Sequence, residues 1–459
     1  MAATHLAFDD TDSLDGMCTT YLAVLMIREI SDYDLIGLPR LVRLNPNVPW
    51  KTRGNAAICM DFGVGVGRKI QIGDIDEAPV FSYMDGQPAA PDRIFKAAER
   101  IIRANAHFEC KSTNPGLLVS VRRPDASFYW DTVREIIEIK AVKKEISRIN
   151  GISKGFKNGR GLIGSAAAMA WRPADRTYEL LAYRKPELVG TKRQIDAASV
   201  IKMDTTYPNT FHNIDRISGH IAITPGSPCP ILFGIRGDDP IDLLRAKDIV
   251  RSESPSSWLV FLTNQGTDEH LTRRKIKAVK KREGVILNGE VSREPNTIEG
   301  GHVFFEMRDP TGTITCAVYE PSGDMRVAAR TLRLGDKIVA YGSVREHPFE
   351  INVEKMNVIR LNQNPDKVEN PVCEKCGKHM KSIGRNAGYR CRKCGTRVPP
   401  SAARTAPRLT PKIGWYEPPI ASRRHLYKPV KRFGIKRSPI REILNRFPHD
   451  EASAHREDT

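Results

Sequence analysis

The 459-residue sequence predicts a multi-domain α+β protein that ends in an OB-type β-barrel and a zinc-binding module. Three observations predict this fold class. Strands alternate with helices through residues 1–270, five strands with one helix between the third and fourth occupy 283–361, and two Cys-x2-Cys pairs follow. Because domains usually have about 100 to 200 residues, we expect three or four of them.

The first block begins with a short strand, an acidic turn and a helical apolar run. Two strands then bracket a rigid loop that holds Pro46 and Pro49, and a turn-rich segment with Gly63, Gly65 and Gly67 has no clear assignment. The predicted elements are a strand at 5–8, a helix at 17–30, strands at 40–44 and 56–62, the turn-rich segment 63–91, a helix at 92–105 and a strand at 117–121.

The second block combines one long helix with a basic glycine-rich stretch and three strands. Small residues at 165–170 indicate close helix packing, and Asp238, Asp239 and Pro240 mark the start of another helix. The predicted elements are a helix at 133–149, the glycine-rich stretch 154–164, and strands at 178–183, 220–224 and 230–234.

The third block has the element order of a five-stranded OB barrel. We predict strands at 285–292, 302–308, 313–319, 337–344 and 350–361, with a helix at 326–334. The turn 309–312, Asp-Pro-Thr-Gly, supports a hairpin between the second and third strands. Another small Greek-key barrel is the alternative.

Four cysteines form two close pairs, Cys373 with Cys376 and Cys391 with Cys394. This spacing is typical of a tetrahedral structural Zn²⁺ site, in which four thiolates leave no open position for catalysis. Free thiols or disulfides are the alternatives, and His379 is a weaker substitute ligand. The other five cysteines are scattered through apolar stretches, which is typical of a reducing cytosol.

The positive charge is concentrated near the C-terminus. The chain carries 72 Lys and Arg against 54 Asp and Glu, and residues 365–448 alone hold 21 against 5. Such asymmetry favours a polyanionic partner such as nucleic acid, with a disordered basic tail as the alternative for 399–448. Rings suited to base stacking accompany the charge: Tyr389 between the cysteine pairs, and Trp415, Tyr416, Tyr427 and Phe433 beyond them. We find neither an export signal nor a run of apolar residues long enough to span a membrane, so we expect a cytoplasmic protein.

An acidic turn, Asp9, Asp10 and Asp12, directly follows the first strand. Three crowded carboxylates repel one another unless a counter-ion is present, and Mg²⁺ bridging to nucleotide phosphates would supply one. A solvated turn or a helix N-cap is the alternative. Gly16, Thr19 and Thr20 then stand at a helix N-terminus, which favours an anion, although the chain has no Walker A motif.

Six strings carry a resemblance to a known family: FDDTDSLDGMCTTYLAV (8–24), PRLVRLNPNVPWKTRGN (39–55), GRGLIG (159–164), PCPILFGIRG (228–237), IEGGHVFFE (298–306) and RRHLYKP (423–429). They closely resemble archaeal tRNA(Ile) 2-agmatinylcytidine synthetases. The resemblance implies a kinase-like α/β catalytic domain (1–130), a ferredoxin-like domain (131–270), an OB-fold domain (280–362), a zinc ribbon (370–398) and a basic C-terminal extension (399–459).

The resemblance also implies the reaction. The family uses ATP, releasing AMP and phosphate, to join agmatine to carbon 2 of the wobble cytidine in the CAU anticodon of isoleucine tRNA, which then decodes AUA. The competing hypothesis is a non-catalytic protein whose OB and zinc modules bind single-stranded nucleic acid. A protein that only binds nucleic acid has no need for three aspartates ahead of a threonine that could receive a phosphate.

The resemblance assigns roles to individual residues. Asp9, Asp10 and Asp12 correspond to the family's Mg²⁺ and nucleotide carboxylates, and Thr19 to its autophosphorylated threonine, with Thr20 as the adjacent alternative. The remaining nucleotide-binding candidates are Gly16, Lys51, Arg53, Asn55 and Arg236. For Arg236 a contact with the amine substrate or a structural salt bridge is equally open.

Overall fold

The structure is a computed structural model that describes residues 3–384 and 386–448. The part of the predicted C-terminal extension at 449–459 lies outside these residues. Among the described helices, none is long and apolar enough to cross a membrane. The helices are α1 (Thr19–Glu29), α2 (Pro91–Asn105), α3 (Ala126–Arg134), α4 (Ile139–Arg148), α5 (Gly161–Ala170), α6 (Ala197–Thr206), α7 (Pro240–Lys247), α8 (Asp324–Arg330) and α9 (Ile440–Leu444).

One large mixed sheet runs through the first 263 residues. Its strands are β1 (Thr4–Asp9), β2 (Asp34–Ile36), β3 (Arg40–Arg43), β4 (Ala56–Ile75), β5 (Ala78–Pro88), β6 (Gly116–Ser120), β7 (Ile152–Gly155), β8 (Thr177–Arg184), β9 (Thr210–Phe211), β10 (Ile231–Gly237) and β11 (Pro255–Thr263). The main order is β7-β6-β1-β4-β3-β11-β8-β10-β9, and β2 and β5 pair beside β4. The parallel pairing of β3 with β11 joins the two predicted N-terminal domains into one core.

The layers follow from side-chain size and periodicity. Every residue of α5 is buried, because its Gly, Ala and Ser positions let the helix lie directly on β1 and β6. Helix α2 is amphipathic and buries Ile94, Ala98, Ile101 and Ile102, while its charged face remains in solvent. The predicted α+β class is therefore confirmed, whereas the predicted limits of each domain stay predictions.

Three element predictions were wrong. Residues 63–91 are not turn-rich, because they form most of the β4–β5 hairpin. A Cβ at Gly65 would lie 2.3 Å from the Tyr83 ring on the neighbouring strand, so close packing between the strands requires this glycine. The helix predicted at 133–149 is two helices, separated at Glu135, whose backbone is extended. Residues 220–224 form no strand and contribute only the isolated bridge between Ile214 and Ile221.

The predicted OB barrel is confirmed. Strands β13 (Gly284–Thr297), β14 (Val303–Asp309), β15 (Gly312–Val318), β17 (Glu350–Arg360) and β16 (Lys337–Val344) pair in that order, and β13 with β16 closes the barrel. Helix α8 lies between the third and fourth strands, as predicted, and the barrel has its own apolar core. Strands β12 (Leu271–Arg273) and β23 (Gly414–Tyr416) extend this sheet.

The cysteine pairs lie in turns beside a small separate sheet of β19 (Lys381–Ser382), β20 (Tyr389–Arg390) and β21 (Arg397–Val398). Strands β18 (Asp366–Glu369) and β22 (Arg404–Ala406) pair at its base. Tyr389, whose ring the sequence offered for base stacking, is buried in the module's core beneath the ammonium of Lys367. That interpretation of Tyr389 was wrong.

The described part of the C-terminal extension is not a disordered tail. Arg432 is fully buried and donates to Asp238 at 2.8 Å and to Asp175 at 3.1 Å. The half-buried rings of Trp415 and Phe433 pack edge to face against each other, and Tyr427 is buried, so Tyr427 serves the interior instead of a bound base. Part of the positive charge near the C-terminus thus neutralises Asp175 and Asp238, which belong to the large sheet's body, the unit formed by the 11-stranded sheet and its helices.

A buried polar network joins β3 and α3 to residues 264–269, the segment that leads from β11 to the barrel. Asn264 exchanges hydrogen bonds with the backbone of Arg43 and donates to Tyr129 Oη, which donates to Glu269 Oε2. Glu269 Oε1 is buried without a hydrogen-bond partner among the described residues. Burial, and secondarily the charge of Asp175, raises the pKa of Glu269 to about 7.

This network predicts a pH dependence of stability. Glu269 keeps its proton to a higher pH in the folded chain than in the unfolded chain, where its carboxyl has the ordinary pKa of about 4.5. The free energy of unfolding should therefore fall as the pH rises from about 4.5 to about 7. The loss should be on the order of 2 to 3 kcal/mol. In denaturant titrations across this range, Glu269→Gln should have a flatter profile; an unchanged slope would contradict the assignment.

Candidate active site

The acidic turn lies where β1 ends against two loops. Asp10 adopts a left-handed backbone conformation, with φ of 57°, and its carboxylate accepts hydrogen bonds from Thr52 Oγ1 at 3.2 Å and from the Asn114 backbone N–H at 3.0 Å. Asp12 Oδ2 accepts from Arg53 Nε at 2.8 Å. Asp9, Asp10 and Asp12 line one cavity, so the predicted cluster is present.

Helix α5 holds this turn from behind. A Cβ at Gly164 would lie 1.8 Å from Asp9 Oδ2, and a Cβ at Gly161 would lie 2.3 Å from the Gly116 backbone N. A side chain at Gly164 would displace the Asp9 carboxylate, and one at Gly161 would require the neighbouring backbone to move. The glycines of the GRGLIG string therefore set how closely the helix approaches the carboxylates.

The cluster lacks sufficient positive charge. Burial raises the pKa of Asp9 well above its usual range, and the neighbouring Asp10 raises it further. Burial and the charge of Asp12 raise the pKa of Asp10 to about 6. Arg53 pairs with Asp12 but leaves the other two carboxylates without an ion pair among the described residues, so the turn favours binding of a cation.

A smaller cavity of about 70 Å³ opens beside the carboxylates. Lys51 lines it and donates to the Pro46 carbonyl. At the mouth, the Arg160 guanidinium lies 4.1 Å from the centre of the Trp50 ring. This cation–π pair gives the cavity a flat aromatic surface at its entrance.

A larger cavity of about 440 Å³ lies on the other side of the Asp12–Arg53 pair. The two cavities share a wall made of Asp12, Arg53, Asn55 and Ala56. Of the predicted residues, Thr19, Thr20 and Arg236 also line the larger one. Its volume is in the range of small-molecule sites, which is about 300 to 1,000 Å³.

Three groups in the larger cavity were missed by the sequence analysis. Arg43 Nε and His212 Nε2 are buried without hydrogen-bond partners among the described residues, and both residues line the cavity. Burial lowers the pKa of Arg43 to about 10 and holds that of His212 well below its usual value. Glu179, which is almost fully buried, accepts from Arg236 Nε at 2.8 Å. The predicted alternative of a salt bridge for Arg236 is therefore present.

Cationic groups predominate around this cavity. Arg43, Arg53, Arg236 and Arg423 line it, whereas Asp12 and Glu179 are its acidic residues. Helix α1 begins at its edge, and no side chain caps the N-terminus of that helix. Guanidinium groups and a free helix N-terminus together favour a phosphate-bearing ligand.

The other predicted residues have modest local roles. Thr19 Oγ1 accepts a hydrogen bond from Thr11 Oγ1 at 3.2 Å, and Thr20 Oγ1 lies 3.1 Å from Cys18 Sγ. Asn55 Nδ2 donates to the Asn45 carbonyl at 2.9 Å. Gly16 closes the 13–16 turn next to His107 instead of lining either cavity.

The four predicted cysteines lie together. Their sulfur atoms are all within 4.8 Å of one another, and three pairs lie at 3.4, 3.4 and 3.7 Å. A tetrahedron with Zn–S bonds of about 2.3 Å has edges of about 3.8 Å, so the set fits Zn²⁺. His379 lies 3.8 Å from Glu369, and the four-cysteine cluster does not include it.

Family models match almost the whole chain. The TiaS TCKD domain matches residues 5–157 and the TiaS FLD domain matches 159–270. An OB-fold nucleic acid binding domain matches 285–359, and the TiaS C-terminal zinc ribbon domain matches 370–408. The chain therefore has the family's modules in order.

Similar proteins align with more than nine tenths of the chain. The tRNA(Ile) 2-agmatinylcytidine synthetases TiaS of Methanocaldococcus jannaschii and Methanosarcina acetivorans are 38% and 40% identical, over 94% and 93% of this chain and 99% and 97% of theirs. A complex of TiaS with its isoleucine tRNA and ATP aligns with a TM-score of 0.80 at 34% identity, covering 96% of this chain and 99% of the other. A complex of TiaS with the same tRNA, AMPCPP and agmatine gives 0.79 at 32% identity, with the same coverage.

The cysteine geometry predicts one zinc ion per chain. Metal analysis of the purified protein should find it, and removal with a chelator should expose residues 370–398 to hydrogen exchange, because this small module has little apolar core of its own. The core of the large sheet should remain protected. Cys394→Ser should lose the metal, while Cys110→Ser, at a thiol outside the cluster, should keep it. Continued protection of 370–398 without zinc would contradict the assignment.

Proposed function

The chain belongs to the TiaS family of tRNA(Ile) 2-agmatinylcytidine synthetases, and we propose that it is an ATP-dependent ligase that joins agmatine to the wobble cytidine of an isoleucine tRNA with a CAU anticodon. The observation that carries this function is the alignment, over 96% of the chain, with structures solved with tRNA and ATP or with tRNA, AMPCPP and agmatine. The modified tRNA then reads AUA codons.

The chemistry explains why ATP is consumed. The O2 oxygen of cytosine is a poor leaving group, and phosphorylation makes it a good one. The neutral amine of agmatine attacks C2, the C–N bond forms, the C2–O2 bond breaks, and O2 departs with the phosphate while the amine loses a proton. The phosphoryl group that activated the base leaves as phosphate carrying O2, and one water cleaves the remaining diphosphate to AMP and a second phosphate, so one ATP and one water yield AMP and two phosphates.

The larger cavity is suited to the nucleotide's phosphates. Arg53 and Arg236 offer charged donors there, and Arg43 adds a buried donor with no other partner among the described residues. Thr19 stands at the edge of this cavity as the candidate that receives a phosphoryl group, with Thr20 beside it. Asn55 supports the shared wall, and Lys51 faces the smaller cavity.

The acidic turn is suited to Mg²⁺. Asp9, Asp10 and Asp12 would hold the ion, since hard carboxylate oxygens are its preferred protein ligands. When bound, Mg²⁺ would neutralise charge on the phosphates. Arg53 orients Asp12 from the shared wall, and Thr52 and Asn114 fix the direction of the Asp10 carboxylate.

The modules suggest a division of labour. We place the catalytic unit at 1–130, the ferredoxin-like unit at 131–270, the barrel at 280–362, the zinc ribbon at 370–398 and the basic extension from 399. The barrel and ribbon would hold the tRNA. Because the tRNA and the small co-substrates are cytosolic, we expect the enzyme in the cytoplasm. A non-catalytic tRNA binder is disfavoured, because it needs neither the acidic turn nor the two cavities.

The function is tested by incubating the protein with a CAU-anticodon isoleucine tRNA transcript, ATP, Mg²⁺ and agmatine, followed by nucleoside mass spectrometry. We expect an agmatine adduct on the wobble cytidine. A methionine tRNA transcript, which shares the CAU anticodon, is the matched control and should remain unmodified. Tight tRNA binding without an adduct would contradict the proposal and favour the non-catalytic alternative.

The acidic turn gives a second prediction. Asp10→Asn keeps the size of the side chain but removes a charge that the ion needs, so ATP turnover should fall at least about 100-fold. Affinity for tRNA should change little, because Asp10 is enclosed by Thr52 and Asn114. Asp15→Asn, on the same turn but outside the linings of both cavities, is the control. Equal loss of tRNA affinity and turnover in Asp10→Asn would contradict this role.

A further inference from the structure

Residues 423–428 form a strap between the large sheet's body and the barrel. The backbone carbonyls of His425 and Leu426 each accept a 2.8 Å hydrogen bond, from the N–H groups of Gly266 and Asp268. The Lys428 N–H donates to Asp268 Oδ1 at 2.8 Å. The strap is therefore fixed along its length, and the side chains that it carries have defined positions.

Arg424 of this strap contacts both bodies at once. Its Nη1 donates to Asn47 Oδ1 at 2.8 Å and to Ser343 Oγ at 3.1 Å, and its Nε lies 3.4 Å from Glu354 Oε1. Ser343 lies in β16 and Glu354 in β17, so both belong to the barrel. Asn47 belongs to the loop 45–55, which carries Lys51 and Arg53.

The contact at Asn47 continues into the active site. The Asn47 N–H donates to Asn45 Oδ1 at 2.9 Å, and Asn55 Nδ2 donates to the Asn45 carbonyl at 2.9 Å, so Asn45 holds the two ends of the loop together. The same loop presents Arg53 to Asp12. A displacement at Asn47 would therefore move the wall that separates the two cavities.

We propose that Arg424 is a positioning residue that couples the OB barrel to the loop 45–55, so that the Arg53–Asp12 wall has its working geometry when the barrel is in place. The proposal rests on the proposed function and adds a residue from the C-terminal strap to its machinery. Arg424 acts through Asn47 and does not touch the reacting atoms.

The surroundings of Arg424 favour a bridge over a phosphate contact. It lines a basic groove between the loop and the barrel, together with Lys51, Arg282 and Arg345. Its guanidinium, however, already has three protein acceptors, and one of them is the largely buried carboxylate of Glu354. Burial opposes ionisation of Glu354, but the charge of Arg424, then the neighbouring His270 and last the Ser343 hydroxyl, lower its pKa to about 2, so this carboxylate stays charged beside the bridge.

The test compares Arg424→Ala, Asn47→Ala and the double variant, with Arg148→Ala as a control that removes an exposed arginine of α4 paired with Glu145, outside the barrel and both cavities. In the agmatine-addition assay we expect kcat to fall about 10- to 100-fold in Arg424→Ala, with the KM for tRNA and the affinity for ATP nearly unchanged, because misplacement of catalytic groups by about 1 Å costs up to about 100-fold. The double variant should be no slower than the stronger single variant.

Hydrogen exchange provides a readout that does not depend on the reaction. Residues 45–55 should exchange faster in Arg424→Ala and in Asn47→Ala but not in Arg148→Ala, while the thermal midpoint of each variant reports overall folding. A raised KM for tRNA with unchanged kcat, multiplicative losses in the double variant, or unchanged exchange at 45–55 would each overturn the proposal. An inactive wild-type protein would instead count against the proposed function, and the exchange data would still decide the coupling.

Discussion

The ion pair between Arg53 Nε and Asp12 Oδ2 is the interaction on which the site depends. Arg53 also donates to Ser227 Oγ at 3.0 Å and to the Met17 carbonyl, so one guanidinium joins the acidic turn, the start of α1 and the loop after residue 224. The wall between the two cavities exists because these segments meet there. A largely buried guanidinium suits this task, because its donors have fixed relative directions.

Two cavities that share one charged wall explain how a single site can bind ligands of opposite charge. The smaller cavity contains the carboxylates, and the larger one is lined mainly by guanidinium groups. The smaller cavity therefore suits a cation, and the larger one suits phosphates. Transfer of a phosphoryl group to a base requires both kinds of group within reach of the same atom.

Much of this site could be predicted from the sequence, because its strongest signals are local. The three aspartates follow a strand within four residues, and the cysteine pairs have the spacing of zinc knuckles, so both clusters were found without tertiary information. Arg43, Glu179 and His212 were missed because they meet only through pairing of distant strands. Gly65 was misinterpreted because a glycine that packs under a tyrosine looks like a turn residue in sequence. The C-terminal aromatics were assigned to base stacking for the same reason, since their burial depends on contacts with the barrel.

In the reaction that we propose, a phosphoryl group activates the wobble cytosine at O2 before the amine attacks. The most direct measurement uses a CAU-anticodon isoleucine tRNA whose wobble cytidine carries ¹⁸O at O2, with mass analysis of the released phosphate and AMP after one turnover. We expect the label to appear in phosphate. Label in AMP would contradict it, because the base would then have been activated by adenylylation, and label in water would mean that O2 left without any activating group.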